Sequence, residues 1–352
     1  MKSITHGGDI YSYEDKFDKI IDFSSNINPL GIPESVKTAL HNAVEKSIFY
    51  PDPLCRKLSN QLSKYYNLPS SYFAIGNGAA DIIFKIAQVI KPKTALLLAP
   101  TFSEYESSLN TVNCNIKYYN LLEKNNFQIK NDYLDYLTSE IDIIYICNPN
   151  NPTGNLTEKD LLINIIDKCK KENITVVIDE CFNEFIENSA AYTLINELKK
   201  YENLVILNAF TKMYAIPGVR LGYCMSSNSN LISKIEEWGQ AWSVSVFAQE
   251  AGISALTEVD FVKSTVKYIS TERSFLKNEL NKIGFTVYNS KANYIFFKNN
   301  FNSDLEKSLK KEGILIRNCK NYHNLDKNFY RIAVKSHNDN IFLVEALKRI
   351  LK

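Results

Sequence analysis

The sequence lacks the cysteine and apolar patterns that mark several large classes of protein. Its seven cysteines are an odd number, lie scattered along the chain, and form no C-x-x-C pair or cysteine–histidine cluster. We therefore expect neither a disulfide scaffold nor a structural zinc site, and a reducing cytoplasm fits best. No apolar run approaches the ~20 residues of a membrane helix, and residues 1–8 show no secretory h-region. We expect a cytoplasmic protein with no membrane partner.

An excess of one charge is also missing, since 41 basic side chains against 39 acidic ones leave a formal net charge of +2. This balance gives no reason to expect a nucleic acid as partner. Arginine is scarce, with six residues in the chain, although its planar fork suits carboxylates and phosphates better than lysine does. Each arginine is therefore a candidate anion site. For Arg56, Arg273 and Arg349 we favour chance or a surface ion pair.

The order of apolar runs predicts an α/β fold with a large and a small domain, as a length of 352 residues allows. Short β-branched runs alternate with helical patterns up to about residue 250, which indicates a mostly parallel sheet between helices. These runs are 95–99, 141–147, 174–178, 204–209 and 221–225. Beyond them, a long helical stretch over 248–283 and four short strands predict a smaller α+β domain. We expect an N-terminal arm over 1–40 packing on the small domain, a large domain over 41–250 and a small domain over 251–352.

Polar residues follow the predicted strands where ligands of open parallel sheets bind, at the strands' carboxyl ends. Asn148-Pro149-Asn150-Asn151-Pro152-Thr153-Gly154 follows one strand, and the carboxylates Asp179 and Glu180 follow the next. Thr211-Lys212 comes after a third strand and is followed by a Gly-x-Arg turn that contains Arg220. The sequence thus predicts an amide, a carboxylate and a lysine at one edge of the sheet.

These motifs, in this order and spacing, resemble those of fold-type I pyridoxal-phosphate enzymes of the aminotransferase class I/II superfamily. The resemblance covers essentially the whole chain and implies pyridoxal 5′-phosphate as cofactor. It implies that Lys212 bonds to the cofactor and shuttles protons, that Asp179 pairs with the pyridine nitrogen, and that Asn151 donates to the phenolic oxygen. Taken alone, Asp179 is equally well a cap or turn residue and Asn151 an ordinary turn residue.

The same resemblance assigns further cofactor contacts. The implied phosphate site comprises Gly78, Ala79, Ala80, Thr211 and Arg220, with backbone N–H groups at a helix start. Phe102 would stack on the pyridine ring, although a phenylalanine in the core is the plain alternative. Tyr50 would reach the phosphate of the neighbouring subunit, which implies a homodimer.

Two positions depart from the superfamily pattern. Phe182 stands where many members have a tyrosine that bonds the cofactor's phenolic oxygen, and Ala209 stands where many have a hydroxyl residue near the phosphate. Each loses one hydrogen bond, worth about 1 kcal/mol net. Phe182 argues against an ordinary aspartate-type aminotransferase.

Two further stretches resemble the threonine-phosphate decarboxylases of cobalamin biosynthesis, relatives of the histidinol-phosphate aminotransferases. They are residues 6–8 with 22–31, and residues 313–319. The resemblance implies that Arg331 holds a carboxylate and that Arg317, His6 and Asn28 help to bind a small phosphorylated amino acid. Without the resemblance, His6 would be a solvated residue. Trp242 lines the pocket or packs in the core.

Three functions follow from this resemblance. The first is decarboxylation of L-threonine O-3-phosphate to aminopropanol phosphate. The second is a histidinol-phosphate-type aminotransferase that uses 2-oxoglutarate and glutamate. The third and weakest is a non-catalytic ligand-binding domain of the aminotransferase type.

Overall fold

The computed structural model describes residues 6–13, 15–17 and 19–351. The strands are β1 (Ile21–Asp22), β2 (Phe73–Gly76), β3 (Thr94–Ala99), β4 (Asn115–Asn120), β5 (Ile143–Cys147), β6 (Thr175–Asp179), β7 (Leu204–Ala209), β8 (Gly222–Met225), β9 (Thr286–Val287), β10 (Tyr294–Lys298), β11 (Ile314–Leu315), β12 (Arg317–Asn318) and β13 (Phe329–Ala333).

The helices alternate with these strands along the first two thirds of the chain. They are α1 (Glu34–Lys46), α2 (Arg56–Tyr66), α3 (Ala79–Ile90), α4 (Ser103–Asn110), α5 (Lys159–Lys171), α6 (Ser189–Tyr192), α7 (Phe210–Met213), α8 (Ser229–Glu237), α9 (Val246–Ala255), α10 (Val259–Ile283), α11 (Leu305–Lys310) and α12 (His337–Ile350).

A seven-stranded sheet forms the centre of the large domain, in the order β2-β8-β7-β6-β5-β3-β4. Only β8 runs antiparallel to its two neighbours, so the predicted mostly parallel sheet is confirmed. Alternate residues of β5 enter two hydrophobic cores: Ile144 and Ile146 pack in one, and Ile143 and Tyr145 pack in the other. Side chains of a strand alternate between the two faces of its sheet, so β5 is buried on both faces. This is why its sequence is one continuous apolar run.

The C-terminal part forms a four-stranded antiparallel sheet, in the order β12-β13-β10-β9, with helices packed against it. The predicted α+β character of this region is confirmed. The N-terminal arm joins it by a short parallel pairing of β1 with β11, in which Ile21 lies opposite Ile314. The arm continues toward the large sheet, so it lies at the junction of both parts.

Several boundaries differ from the sequence-based expectations. The helical stretch expected over 248–283 is two helices, because the helical conformation is interrupted between Ala255 and Val259. Helix α9 packs on α1, whereas α10 packs on the small sheet. One of the four short strands of the small domain was expected over 314–316. The structure has β11 at Ile314–Leu315 and a separate strand, β12, at Arg317–Asn318, and the two pair in different sheets. Strand β4, which was not predicted, is an edge strand with alternating burial. Among the helices of the described chain, none has the length and apolarity to cross a bilayer.

Candidate active site

A cavity of about 370 Å³ lies where the carboxyl ends of β5, β6 and β7 meet the arm and the small sheet. Parallel pairing brings these ends together, with Cys147 opposite Asp179 and Asp179 opposite Leu207. The residues that line the cavity are His6, Gly7, Ser24, Ser25, Asn26, Ala79, Ala80, Phe102, Glu104, Cys147, Asn151, Asp179, Cys181, Phe182, Ala209, Thr211, Lys212, Arg220, Arg317, Tyr322 and Arg331. The cavity therefore gathers most of the predicted site residues from distant parts of the sequence.

Lys212 lies in the short helix α7, directly after β7, and its side chain lines the cavity. The pKa of its ammonium group is lowered to about 8, mainly by burial, and the positive charges of Arg331 and Arg220 act in the same direction. Cys181 and Asp179 act in the opposite direction. A buried amine with a pKa this close to neutrality exchanges protons readily, as a lysine that bonds to an aldehyde and shuttles protons requires.

Asp179 is the last residue of β6, and its carboxylate is held from two sides. It accepts hydrogen bonds from the Tyr105 hydroxyl at 2.6 Å and from the Cys181 N–H at 2.9 Å. Burial and the neighbouring Asp179 raise the pKa of Tyr105 well above its usual value, so the phenol remains a donor. The adjacent Glu180 does not line the cavity, because its carboxylate accepts from Thr193 instead. Asp179 thus offers an oriented anion for a protonated ring nitrogen.

The predicted phosphate site is tightly packed around the first residue of α3. A Cβ on Gly78, whose φ is +87°, would lie 2.5 Å from Arg220 Nη2, and a Cβ on Gly222 would lie 2.3 Å from the Ala79 nitrogen. The Gly78 N–H donates to Gly76, whereas Ala79, Ala80, Thr211 and Arg220 line the cavity. Glycine here permits close approach of the helix start to the arginine. This cradle of N–H groups and a guanidinium fits a phosphate dianion.

Asn151, in the loop after β5, and Arg331, in β13, form one buried hydrogen-bonded unit in the lining of the cavity. The Asn151 side-chain oxygen accepts from Arg331 Nη1 at 2.6 Å, which leaves its NH2 group to donate. Arg331 also donates from Nη2 to the Ser24 carbonyl at 2.6 Å, and its Nε is buried with no protein partner. It forms no ion pair with any carboxylate of the described residues, so a buried cation faces the cavity without an anion.

Arg317 and His6 also line the cavity. Arg317 in β12 lies opposite Arg331 in β13, and both line the cavity. Arg317 donates to Asn318 and Asn321 and lies 5.3 Å from the ring centre of Tyr322. His6 Nε2 lies 2.8 Å from Glu104 Oε1, beside the half-buried ring of Phe102.

Three predicted residues lie elsewhere. Asn28 does not line the cavity: its amide donates to Met213 O at 2.7 Å and to Thr265 Oγ1 at 2.8 Å, which ties the arm to the rest of the chain. Tyr50 is 80% exposed on the surface of the chain, stacked on Trp242 at 4.8 Å. Trp242 is half exposed, so it does not pack in the core, and it does not line the cavity of its own chain.

Several residues of the cavity were not predicted from the sequence. Asn26, two positions before Asn28, lines it with a buried side-chain oxygen that has no protein partner. Glu104 lines the cavity, and the Tyr105 hydroxyl donates to Asp179. Residues three apart share one side of a helix, so the spacing from Phe102 could have predicted that Tyr105 points toward the same site. Tyr322 lies in a turn after β12 and carries no sequence signal. Phe182 and Ala209, the two residues that depart from the superfamily pattern, both line the cavity.

The family model described as "Aminotransferase class I and II" matches residues 18–350. A threonine-phosphate decarboxylase of Salmonella typhimurium is 36% identical over 336 residues, covering 95% of this chain and 92% of the relative. A histidinol-phosphate aminotransferase of Methanosphaera stadtmanae is 30% identical, over 95% of this chain and 91% of the relative. The solved histidinol-phosphate aminotransferase of Clostridium acetobutylicum superposes with a TM-score of 0.87 at 33% identity, over 93% of this chain and 98% of that one.

The fold and the site define a pyridoxal-phosphate-dependent enzyme of fold type I. The chain belongs to the aminotransferase class I and II family, and its cofactor is pyridoxal 5′-phosphate. Family membership and the decarboxylases among its relatives show that the chain is an enzyme, which excludes the third function, a non-catalytic ligand-binding domain. Lys212, Asp179, Asn151, Arg220 and the start of α3 would hold the cofactor.

Proposed function

We propose that this enzyme decarboxylates L-threonine O-3-phosphate to aminopropanol phosphate. The observation that carries this proposal is the pair Arg317 and Arg331 on adjacent antiparallel strands, both lining the cofactor cavity. Two guanidinium groups suit a substrate with two anionic groups, a carboxylate and a phosphate. The similarity to the Salmonella typhimurium decarboxylase supports the same substrate.

The residues of this chain have separate tasks in that reaction. Bound cofactor supplies an electron sink for the α-carbon. Arg331 binds the substrate carboxylate, while Arg317 and His6 bind the phosphate, so that the substrate is held at both ends. Holding both ends would fix the direction of the bond between the α-carbon and the carboxylate relative to the bound cofactor, and so select that bond for cleavage. As carbon dioxide leaves, Lys212 delivers to the α-carbon the proton that replaces it.

A histidinol-phosphate-type aminotransferase is the second candidate, favoured by the 33% identity to the Clostridium acetobutylicum enzyme. Its substrate has a phosphate and no carboxylate, so one anion site suffices in that half of the reaction. Lys212 would then remove the α-hydrogen, and a keto acid would be needed to complete the cycle. The second arginine would serve that keto acid.

We also propose a homodimer in which Tyr50 reaches the neighbouring cofactor site. Ile48, Phe49, Tyr50 and Leu54 expose between 57% and 80% of their surface on one part of the chain, next to Trp242. Such a patch of large apolar side chains is typical of a protein interface. Sedimentation should give twice the mass of 40.3 kDa. A monomer with full activity would contradict this proposal.

The proposed compartment is the cytoplasm. All seven cysteines are free thiols, and six of them are buried. Free thiols persist in a reducing compartment.

The test of the reaction is an incubation with L-threonine O-3-phosphate, with and without 2-oxoglutarate, in which carbon dioxide and glutamate are both followed. A parallel incubation contains histidinol phosphate. Carbon dioxide without any keto acid is the expected result. Glutamate from histidinol phosphate, with no carbon dioxide from the threonine ester, would replace the decarboxylase by the aminotransferase.

A further inference from the structure

A second basic pocket lies at the junction of α10 with the loop between β9 and β10. Its volume is about 210 Å³, and its lining includes Arg273, Lys277 and Lys291. None of its lining residues belongs to the cofactor cavity. We refer to it as the junction pocket. Two cations from α10 and one from the loop between β9 and β10 thus line the junction pocket, which the proposed reaction does not use.

Within the described part of the chain, these cations are not in ion pairs, although the charge of the Glu187 carboxylate acts on Arg273. Arg273 Nη1 donates to the carbonyls of Lys291 and Ala292 at 3.2 and 3.0 Å, and Lys277 donates to Asn289 at 2.6 Å. None of the three forms an ion pair with a carboxylate of the described residues. For Arg273 we expected chance or a surface ion pair, and the described residues show no ion pair.

The other two arginines given that interpretation do form ion pairs. Arg56 bonds Asp52, and Arg349 bonds Glu312. Arg273 differs because burial lowers its pKa, which means that a partly desolvated charge is held in place by two carbonyls. A guanidinium anchored in this way keeps its remaining N–H groups available to an anion.

The rest of the lining suits a small oxyanion. Ser290 contributes a hydroxyl group, whereas the hydroxyls of Ser270 and Ser274 already donate to Glu187 and to the Ser270 carbonyl. Glu187 is the one carboxylate among the lining residues. Glu187 accepts a hydrogen bond from the Ser270 hydroxyl at 2.7 Å, which satisfies part of its hydrogen-bonding capacity while its charge stays in the lining. Three cations and one carboxylate leave a formal excess of two positive charges. We propose that the junction pocket binds a small phosphate-bearing anion, either free phosphate or a phosphomonoester.

The junction pocket is joined to the cofactor cavity through one backbone contact. The Lys291 N–H donates to the Gly154 carbonyl at 2.9 Å, and a Cβ on Gly154 would lie 2.1 Å from the Ser290 hydroxyl oxygen. Gly154 ends the loop that carries Asn151, which in turn bonds Arg331. Because this contact leaves no free space, an anion that shifts Ser290 and Lys291 also shifts the loop. Occupancy should therefore alter substrate affinity.

The test is calorimetric titration of the holoenzyme with sodium phosphate at constant ionic strength, and then with glycerol 3-phosphate. In the double variant Arg273→Gln/Lys291→Gln, one phosphate-binding event should be lost or weakened about tenfold or more. The matched control is Lys348→Gln/Arg349→Gln, which removes the same charge from ion pairs on α12 and should bind like wild type. Binding of the ester as well as the ion would identify a phosphomonoester site, and binding of the ion alone would identify a free-phosphate site.

A second variant tests the proposal in the opposite direction. Glu187→Gln removes the one carboxylate of the lining and should tighten phosphate binding severalfold. Phosphate should also change the KM for the phosphorylated substrate in wild type, beyond the competition that it shows in the Arg273/Lys291 double variant. Equal phosphate binding in wild type, the double variant and Glu187→Gln would overturn the proposal. The proposal would also be overturned if phosphate changed the KM of wild type and of the double variant by the same factor.

Discussion

The two sides of the cofactor cavity are built in different ways. On one side, Asp179 and Lys212 stand at the ends of β6 and β7, buried strands whose register is fixed by the central sheet. On the other side, Arg331, Asn26 and His6 come from the small sheet and the arm. Their positions depend on individual hydrogen bonds, such as those of Arg331 to Asn151 and Ser24.

This difference separates chemistry from specificity. The strand-end side would hold a cofactor that is common to the whole family, so its residues tolerate little variation in position. The arm side would choose the substrate, and a few changes there can alter the choice without unfolding the sheet. Substitutions on the strand-end side should therefore lower the rate of the reaction, whereas substitutions on the arm side should weaken substrate binding.

Lys212→Ala should have the largest effect. It removes the group that bonds to the cofactor and moves the proton, so activity should fall by about 10³-fold or more. The variant should also lose the absorbance of the cofactor bonded to lysine, although Asp179 and Arg220 remain to bind the cofactor. Lys298→Ala, which removes a surface ion pair with Glu123, is the matched control and should retain both properties. An unchanged spectrum in Lys212→Ala would refute the assignment.

Arg331→Lys should lower kcat/KM by about 100-fold while the cofactor spectrum stays intact. Lysine keeps the charge but cannot bond Asn151, Ser24 and a carboxylate at the same time, because it lacks the planar fork. Spectra and steady-state kinetics on the same preparation separate the two properties. Arg349→Lys, on the exposed face of α12, is the control. Activity near the wild-type level would show that this arginine does not hold the substrate.

The two sides also differ in how far the sequence predicts them. Asp179, Asn151 and Lys212 follow apolar strands directly, so the strand pattern and the family motifs together place them at one edge of the sheet. The arm follows no such periodicity. Asn26 and Asn28 belong to one short motif, and nothing in the motif shows which side chain faces the cavity. Pairings over long sequence separations, such as that of Glu104 with His6, depend on the tertiary fold.

The asparagines of the arm offer a matched pair of substitutions. Asn28→Ala removes the amide that bonds Met213 O and Thr265 Oγ1, and it should lower the free energy of unfolding by about 1–3 kcal/mol with KM nearly unchanged. Asn26→Ala removes a side-chain oxygen that lines the cavity without a protein partner, and it should raise KM with little loss of stability. Urea denaturation and kinetics on both variants decide the matter. A raised KM in Asn28→Ala with unchanged stability would restore its predicted role in substrate binding.

The smallest effect on kinetics is expected from substitution of Glu104, which contacts the N-terminal arm through His6. Its carboxylate lies 2.8 Å from His6 Nε2 and fixes the ring at the mouth of the cavity, where the other ring nitrogen can donate to a phosphate. Glu104→Gln keeps the shape of the contact but removes the negative charge of the carboxylate that holds the His6 ring, which weakens this hydrogen bond. KM should therefore rise about threefold to tenfold with kcat almost unchanged.

Helix α4 contains its own control for this substitution. Glu106, two residues after Glu104, bonds His323 Nε2 at the same distance of 2.8 Å, and neither residue lines the cavity. Glu106→Gln thus makes the same chemical change to the same kind of pair on the same helix. If the arm pair orients His6 toward substrate, only Glu104→Gln raises KM, and His6→Gln combined with it adds little further. Equal KM values for the two glutamate variants would reduce the His6–Glu104 contact to a structural tie, and would leave Arg317 and Arg331 as the whole anion site.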